Sequence, residues 1–270
     1  IKKRLAKTNE GDFPLKKPRV CILTTDGTNC DEELAYAFEI TGAGPEYVHV
    51  NQLRHKSKKL RDFQILALPG GFSYGDDVAS GKILAVELVS FLKNQLEEYI
   101  NKDGLVIGIC NGFQTLVRTG LLPFNSVGKM DATLAQNESG HFECRWVQIK
   151  TQKSKCIFLN GQKQILDVAV NHGEGKLYAP PETIDKIEEE KLVIFRYADA
   201  NGKTASKYPQ NPNGSTNAIA GVCDPSGKIL GLMPHPEKFV SNFQHPNWRR
   251  QRFAKPHGRF IFENMVKFAK

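Results

Sequence analysis

Along the first 110 residues, short apolar runs alternate with polar, turn-rich stretches, and each run is strand-length. Val20-Cys21-Ile22-Leu23 is the first. Thr24-Thr25-Asp26-Gly27-Thr28-Asn29 then supplies a turn with an N-cap before a helical pattern over 32–40, ended by Gly42. Residues 47–50 give a second strand, and Ile65-Leu66-Ala67-Leu68 a buried third that runs into Pro69-Gly70-Gly71. After the polar loop Phe72-Ser73-Tyr74-Gly75-Asp76-Asp77, the residues Leu84, Leu88, Phe91, Leu92, Leu96 and Tyr99 recur at helical spacing, and Leu105-Val106-Ile107 forms a fourth strand. This alternation predicts an α/β fold: a mainly parallel open sheet flanked by helices on both faces.

The second half is less regular. Strands are predicted over 144–149, 165–170, 192–197, 218–223 and 229–233, with Asp224-Pro225-Ser226-Gly227 as a hairpin turn, so some of these strands are antiparallel. Residues 202–215 and most of 241–256 read as loops. Phe260, Ile261, Met265 and Phe268 return a final amphipathic helix over 258–268 to the core. Residues 1–18, basic and without periodicity, read as a flexible arm ahead of one domain over 19–270.

Composition narrows the classes. A chain of 270 residues with 40% hydrophobic residues can bury one large core. The net charge of +8 comes from a mixture of both signs, which is ordinary for a soluble protein, so no nucleic-acid partner is expected. Six cysteines show no C-x-x-C spacing; neither a metal site nor a disulfide framework is expected, and a cytoplasmic location fits. No apolar run approaches the ~20 residues of a membrane span, so no membrane partner is expected.

Three stretches carry candidate chemistry. In Gly108-Ile109-Cys110-Asn111-Gly112-Phe113-Gln114, glycines flank a cysteine between a strand-like run and a helix-compatible one, the pattern of a nucleophile elbow. Helix N–H groups there favour a thiolate and can donate to an oxyanion. A buried structural cysteine fits the same pattern. In Pro234-His235-Pro236-Glu237, the prolines favour an extended segment, which puts His235 and Glu237 on one face; the carboxylate can fix the imidazole tautomer while the other nitrogen takes a thiol proton. A loop histidine beside a solvated glutamate is the plain alternative. Pro69-Gly70-Gly71 lies at the end of the third strand, where loops line a ligand crevice, so the Gly71 and Asn111 N–H groups are a candidate oxyanion hole. The glycines are equally compatible with an ordinary turn.

The set P-G-G, G-x-C-x-G-F-Q and P-H-P-E, in this order, resembles the class I (triad) glutamine amidotransferases. Within them, Asp26-Gly27-Thr28-Asn29-Cys30-Asp31, Gly70-Gly71-Phe72-Ser73-Tyr74-Gly75-Asp76, Phe142-Glu143-Cys144-Arg145-Trp146-Val147 and His172-Gly173-Glu174-Gly175 are similar to the glutaminase subunits of phosphoribosylformylglycinamidine synthases. The likeness runs from about Arg19 to the final helix, and departs from the family where Thr25-Asp26-Gly27 replaces a phenylalanine-proline-glycine-like turn. It implies Cys110 as nucleophile, His235 as general base and then acid, and Glu237 as its orienter. It further implies that Gly70, Gln114, Asn137, Ser139 and Phe142 bind glutamine, and that His172 and Glu174 support that site or a partner contact; a turn held by Gly173 and Gly175 is the alternative. The glutaminase step needs no cofactor or metal. The implied partners are glutamine, a synthetase subunit that uses ATP and Mg to convert formylglycinamide ribonucleotide to its amidine in purine biosynthesis, and a small accessory subunit.

Other readings stay open at this stage. Another class I amidotransferase glutaminase would share the triad. An esterase or protease could use a similar elbow, although such hydrolases place their acid on a separate strand before the histidine. A non-catalytic interaction module would make the basic surface of Arg249, Arg250, Arg252 and Lys255 its main feature. No G-x-x-x-x-G-K-[ST] phosphate loop is present, which fits a division of labour with a separate synthetase.

Overall fold

The computed structural model describes residues 17–159, 164–251 and 253–270. The predicted arm lies, but for its last two residues, outside the described residues, as does Arg252. Strand β1 (Arg19–Thr24) is followed by α1 (Asp31–Glu39), β2 (Gly44–His49), α2 (Val50–Arg54) and β3 (Ile65–Leu68). Helices α3 (Lys82–Phe91) and α4 (Lys93–Asn101) lead to β4 (Leu105–Ile109) and α5 (Asn111–Arg118). Then come β5 (Thr133–Gln136), β6 (Glu143–Thr151), β7 (Ile165–His172), β8 (Glu174–Tyr178), α6 (Pro181–Glu189), β9 (Val193–Ala198), β10 (Ile219–Cys223), β11 (Ile229–Leu232) and α7 (Arg259–Phe268).

Among the described residues, nine strands form one sheet in the order β2-β1-β3-β4-β11-β10-β9-β6-β7, and β5 pairs with β8 apart from it. The pairings from β2 to β11 are parallel, and those from β11 to β7 antiparallel. The α/β architecture, with its antiparallel second half, is the one the sequence predicts. Chain direction across the sheet reverses at β1: β1 steps outward to β2, whereas β3 steps the other way to β4. Right-handed crossovers therefore place α1 on one face and α3 and α4 on the other. The reversal opens a crevice at the carboxyl ends of β1 and β3, next to the end of β4.

Several elements depart from their predicted form. The pattern from Leu84 to Tyr99 is two helices rather than one, bent where Leu92 (φ −117°, ψ 5°) ends α3 and begins α4. Val50 belongs to the short helix α2, not to β2; Val50 and Leu53 bury its inner side. Helix α6, started by Pro181 at its first position, buries only Ile184 and Ile187, too few apolar positions to mark a period.

Helix α7 closes the face that carries α1. Phe38 and Phe262 are fully buried and meet edge to face, with ring centroids 5.1 Å apart. Both helices also pack on the turn after β11 that carries Glu237, so this contact supports the site as well as the core. Phe262→Ala is expected to cost about 3–5 kcal/mol in denaturant unfolding, against less than about 0.5 kcal/mol for Tyr36→Ala on the exposed side of α1. Equal midpoints for the two variants would contradict this packing.

Candidate active site

Cys110 alone makes the turn between β4 and α5. It holds φ 52°, ψ −108°, a conformation that costs a non-glycine residue about 1–3 kcal/mol. Its N–H donates to Leu232 O of β11 at 2.9 Å, and its carbonyl accepts from Gln114 N–H at 3.0 Å. Helix α5 crosses so close to β3 that a Cβ on Gly112 would stand 2.1 Å from Leu68 O. These restraints hold the thiol at the N-terminus of α5, where unpaired N–H groups favour negative charge.

His235 reaches the same point from the end of β11. Its N–H donates to Ala169 O of β7 at 2.9 Å, and its Nδ1 lies 2.5 Å from Glu237 Oε1. Both side chains are 1% exposed. The route to this pair differs from the predicted extended run: His235 is extended, but residues 236–239 form a 3-10 turn that curls the carboxylate back to the ring. Pro236, with its fixed φ, suits the first position of such a turn. Burial pulls the imidazole pKa down, but the Glu237 carboxylate and the neighbouring Cys110 and Cys30 thiols outweigh it, and the net shift is well upward. Nδ1 is taken by Glu237; Nε2 has no hydrogen-bond partner among the described residues.

The loops at the ends of β1 and β3 complete the pocket. A Cβ on Gly70 would stand 2.7 Å from His235 Cε1, 3.4 Å from Cys110 Cβ and 3.5 Å from Cys30 Sγ, so only glycine lets the backbone pass this close to the imidazole. Gly71 forms a bridge pair with Thr28, and beside it Phe72 N–H donates to Gly27 O (3.0 Å) and Cys30 N–H to Gly70 O (3.2 Å). Its own N–H takes no part in those bonds. Asn111 opens α5, so its N–H has no intrahelical acceptor.

The residues expected to hold glutamine behave less uniformly. Gln114 is buried, not an exposed helix residue, and its Nε2 donates to Glu174 O at 2.7 Å. Asn137 is also buried: its Nδ2 donates to His172 O at 2.7 Å and His141 O at 2.9 Å, and its Oδ1 lies 3.1 Å from His172 Nδ1. Ser139 makes a local turn with His141. Phe142, half exposed, stacks on Phe72 with centroids 6.2 Å apart. Both rings line a cleft of about 330 Å³ together with Asp76, Ser80, Asn137 and Glu174. A larger cleft, about 420 Å³, lies over Trp146, Asp167 and Gln251, away from Cys110.

His172 ends β7 and Glu174 opens β8, so Gly173 is a link between strands and Gly175 lies within one. Glu174 Oε2 accepts from Ser80 N–H at 3.3 Å and stands 3.8 Å from Arg118 Nη2. Sequence reasoning missed the wider network. Asn111 Oδ1 accepts from Ser73 Oγ at 2.6 Å, its Nδ2 donates to Asp76 Oδ1 at 2.7 Å, and Ser80 Oγ donates to Asp76 Oδ2 at 2.8 Å. It also missed Cys30 beside His235 and the Asn171 carbonyl 3.5 Å from Cys110 Sγ. For Cys30 a signal existed, since its loop follows the carboxyl end of β1 at the reversal point.

Comparisons with known proteins bear on the chain as a whole. The profile of the CobB/CobQ-like glutamine amidotransferase domain matches residues 17–269. The chain is 45% identical over 258 residues to phosphoribosylformylglycinamidine synthase subunit PurQ of Dehalococcoides mccartyi, covering 95% of this chain and 99% of that one. It is 42% identical to the PurQ subunit of Methanococcus maripaludis, over 91% of this chain and 92% of the relative. A chain in the structure of PurLQS from Thermotoga maritima superposes with a TM-score of 0.72 at 31% identity, covering 94% of this chain and all of that one.

The buried His172 gives a pH test. Burial, then the nearby His235, lowers its pKa to about 4. As pH falls from the ordinary histidine value of about 6.5 towards 4, the unfolded chain takes up a proton that the folded chain refuses, so stability is lost by up to about 1.4 kcal/mol per pH unit. Above pH 6.5 the group has no such effect. His172→Gln is expected to flatten the fall in unfolding free energy across that window; an unchanged slope would show that His172 is not held neutral.

Proposed function

The chain belongs to the glutamine amidotransferase family, in the branch of the phosphoribosylformylglycinamidine synthase subunits PurQ, and on that premise we propose how its site works. It is the glutaminase component of that synthase, an amide-nitrogen donor in purine biosynthesis. The observation that carries the mechanism is the left-handed Cys110 held against a buried His235–Glu237 pair.

Cys110 Sγ attacks the side-chain carbonyl carbon of glutamine as His235 Nε2 takes the thiol proton, and Glu237 supports the imidazolium through Nδ1. The Gly71 and Asn111 N–H groups receive the oxyanion. His235 returns its proton to the departing amide nitrogen, so ammonia leaves and a thioester remains. Water, deprotonated by the same imidazole, then cleaves the thioester to glutamate and free thiol. Every proton in this cycle passes through His235, and the step uses no cofactor. Gly70 positions the ring. Phe142, with Phe72, walls the glutamine mouth; Ser139 belongs to the turn behind it, and Gln114 and Asn137 hold its walls through Glu174 and His172.

The ammonia goes to a synthetase subunit that supplies ATP and Mg chemistry, with a small accessory subunit as a further partner; the relatives' designation as a synthase subunit supports this. The match over 17–269 supports a single domain. No helix among the described residues is long and apolar enough to cross a membrane, and we place the chain in the cytoplasm. The loop 72–81 is the proposed switch. Tyr74, Asp76 and Val78 all have positive φ (54°, 55° and 72°), which is strained, most of all for the β-branched and exposed Val78. A partner that relaxes this loop could aim the adjacent Gly71 N–H at the reacting carbonyl, and one such donor is worth about 10²–10³ in turnover.

Two assays test the scheme. In the complex, Cys110→Ala and His235→Ala are expected to abolish glutamine-dependent synthesis while sparing synthesis from added ammonium; near-normal glutamine hydrolysis in either variant would refute the triad. Glutamate production by the chain alone should rise by about 10² or more when synthetase, formylglycinamide ribonucleotide and ATP are added. Equal turnover would remove the switch and leave a free-standing glutaminase.

A further inference from the structure

We propose that Asp76 is a positioning residue of the glutaminase reaction: through the side chain of Asn111 it sets the spacing of the two backbone donors that receive the oxyanion. This rests on the glutaminase reading and adds to it a residue outside the Cys110–His235–Glu237 set. The observation behind it is the attachment of Asn111. That residue is 2% exposed, and both ends of its amide are bonded into the loop after β3: Oδ1 accepts from Ser73 Oγ at 2.6 Å, and Nδ2 donates to Asp76 Oδ1 at 2.7 Å. Ser73 follows Gly71 by two residues and is itself buried. One donor of the proposed oxyanion hole, the Gly71 N–H, is therefore joined to the other, the Asn111 N–H, by a side-chain bridge.

The charge of Asp76 gives the bridge its direction. An ionised carboxylate only accepts hydrogen bonds, so the amide end that faces it must be the NH₂, and the end left for the Ser73 hydroxyl must be the carbonyl. Bonds to an ionised acceptor are also the stronger kind. The second carboxylate oxygen accepts from Ser80 Oγ at 2.8 Å. Ser80 is held in turn by Glu174 Oε2, which accepts from its N–H at 3.3 Å, and by Arg118 Nε, which donates to its carbonyl at 2.9 Å. Asp76 is thus braced from β8 and from the far end of α5.

Gly81 (φ 70°) seats the end of the loop on the same turn of α5, where a Cβ would stand 2.9 Å from Thr115 N and 3.2 Å from Asn111 O. Thr115 Oγ1 donates to that Asn111 carbonyl at 3.0 Å. Among the described residues, the N–H is the one polar group of Asn111 left without a partner. A developing oxyanion is stabilised by donors held in advance about 2.7–3.1 Å from the place the charged oxygen will take. Loosening the Asn111 peptide therefore weakens the transition state and leaves the binding of ground-state glutamine as it was.

The test uses the complex with the synthetase. Asp76→Ala is expected to lower kcat for glutamine hydrolysis about 10–100-fold, short of the 10²–10³ that loss of a whole donor costs, with KM unchanged and synthesis from added ammonium at the wild-type rate. Asp76→Asn keeps an acceptor for Asn111 Nδ2 and should restore most of kcat. Ser73→Ala frees the other end of the amide and should also lower kcat, and the two losses should not multiply in the double variant, because both act through Asn111. An aldehyde analogue of glutamine separates positioning from folding. Cys110 sulfur adds to its carbonyl carbon, the thiol proton passes to His235, and the oxygen takes the negative charge into the hole. Its affinity should fall in Asp76→Ala by the same factor as kcat/KM, while glutamine should bind a Cys110→Ala chain equally well with and without the Asp76 change. Wild-type kcat in a folded Asp76→Ala complex, or equal losses of aldehyde and glutamine affinity, would overturn the role of Asp76 and leave the glutaminase reading intact. A wild-type complex that hydrolyses no glutamine would defeat that reading, and the role of Asp76 with it.

Discussion

A cysteine at φ 52° between a buried strand and a buried helix persists only where both neighbours are fixed more strongly than the turn is strained. The strain is about 1–3 kcal/mol. Strand β4 is fixed by parallel pairing to β3 on one side and β11 on the other, and α5 by its close crossing over Leu68 at Gly112. The same pairing with β11 decides where His235 emerges, because the chain leaves Leu232 beside Ile109 and turns directly into Pro234. The two halves of the proposed triad, far apart in sequence, are thus ends of adjacent strands. Their separation is a property of the sheet rather than of a flexible loop.

A second set of contacts joins the pocket to its surroundings. Asn111, beside the nucleophile, is bonded to Ser73 and Asp76 in the loop after β3; Asp76 holds Ser80, whose N–H meets Glu174 in β8. Arg118 Nε donates to Ser80 O at 2.9 Å from the far end of α5. Burial raises the Asp76 pKa, while the bonds from Ser80 and Asn111 oppose that shift. The loop is therefore both strained in its backbone and tied by polar bonds, with a direct connection to α5.

The elbow could be read from the sequence because glycines flank one cysteine after an apolar run, and the strands could be read because buried strands are apolar throughout. What the sequence hid was of two kinds. Elements with few buried positions, such as β5, β8 and α6, carry too weak a period to mark themselves. Contacts between distant segments carry no local signal: Cys30 against His235, Gln114 on Glu174 O, and Asn137 on His172 follow from the reversal of the sheet and the closing of β5 on β8. The family resemblance assigns Asn137 and Gln114 to glutamine binding, and in the structure their side-chain amides tie strands and loops together. The His235–Glu237 pair was foreseen, but through an extended segment, whereas Pro236 begins a 3-10 turn.

The central claim is that Cys110 forms the covalent intermediate under the control of His235. Its most direct test is to quench the complex in acid during glutamine turnover and map the peptides by mass spectrometry. The account predicts a γ-glutamyl thioester on Cys110, lost in His235→Ala. An adduct on Cys30 or any other cysteine, or an undiminished adduct in His235→Ala, would contradict it.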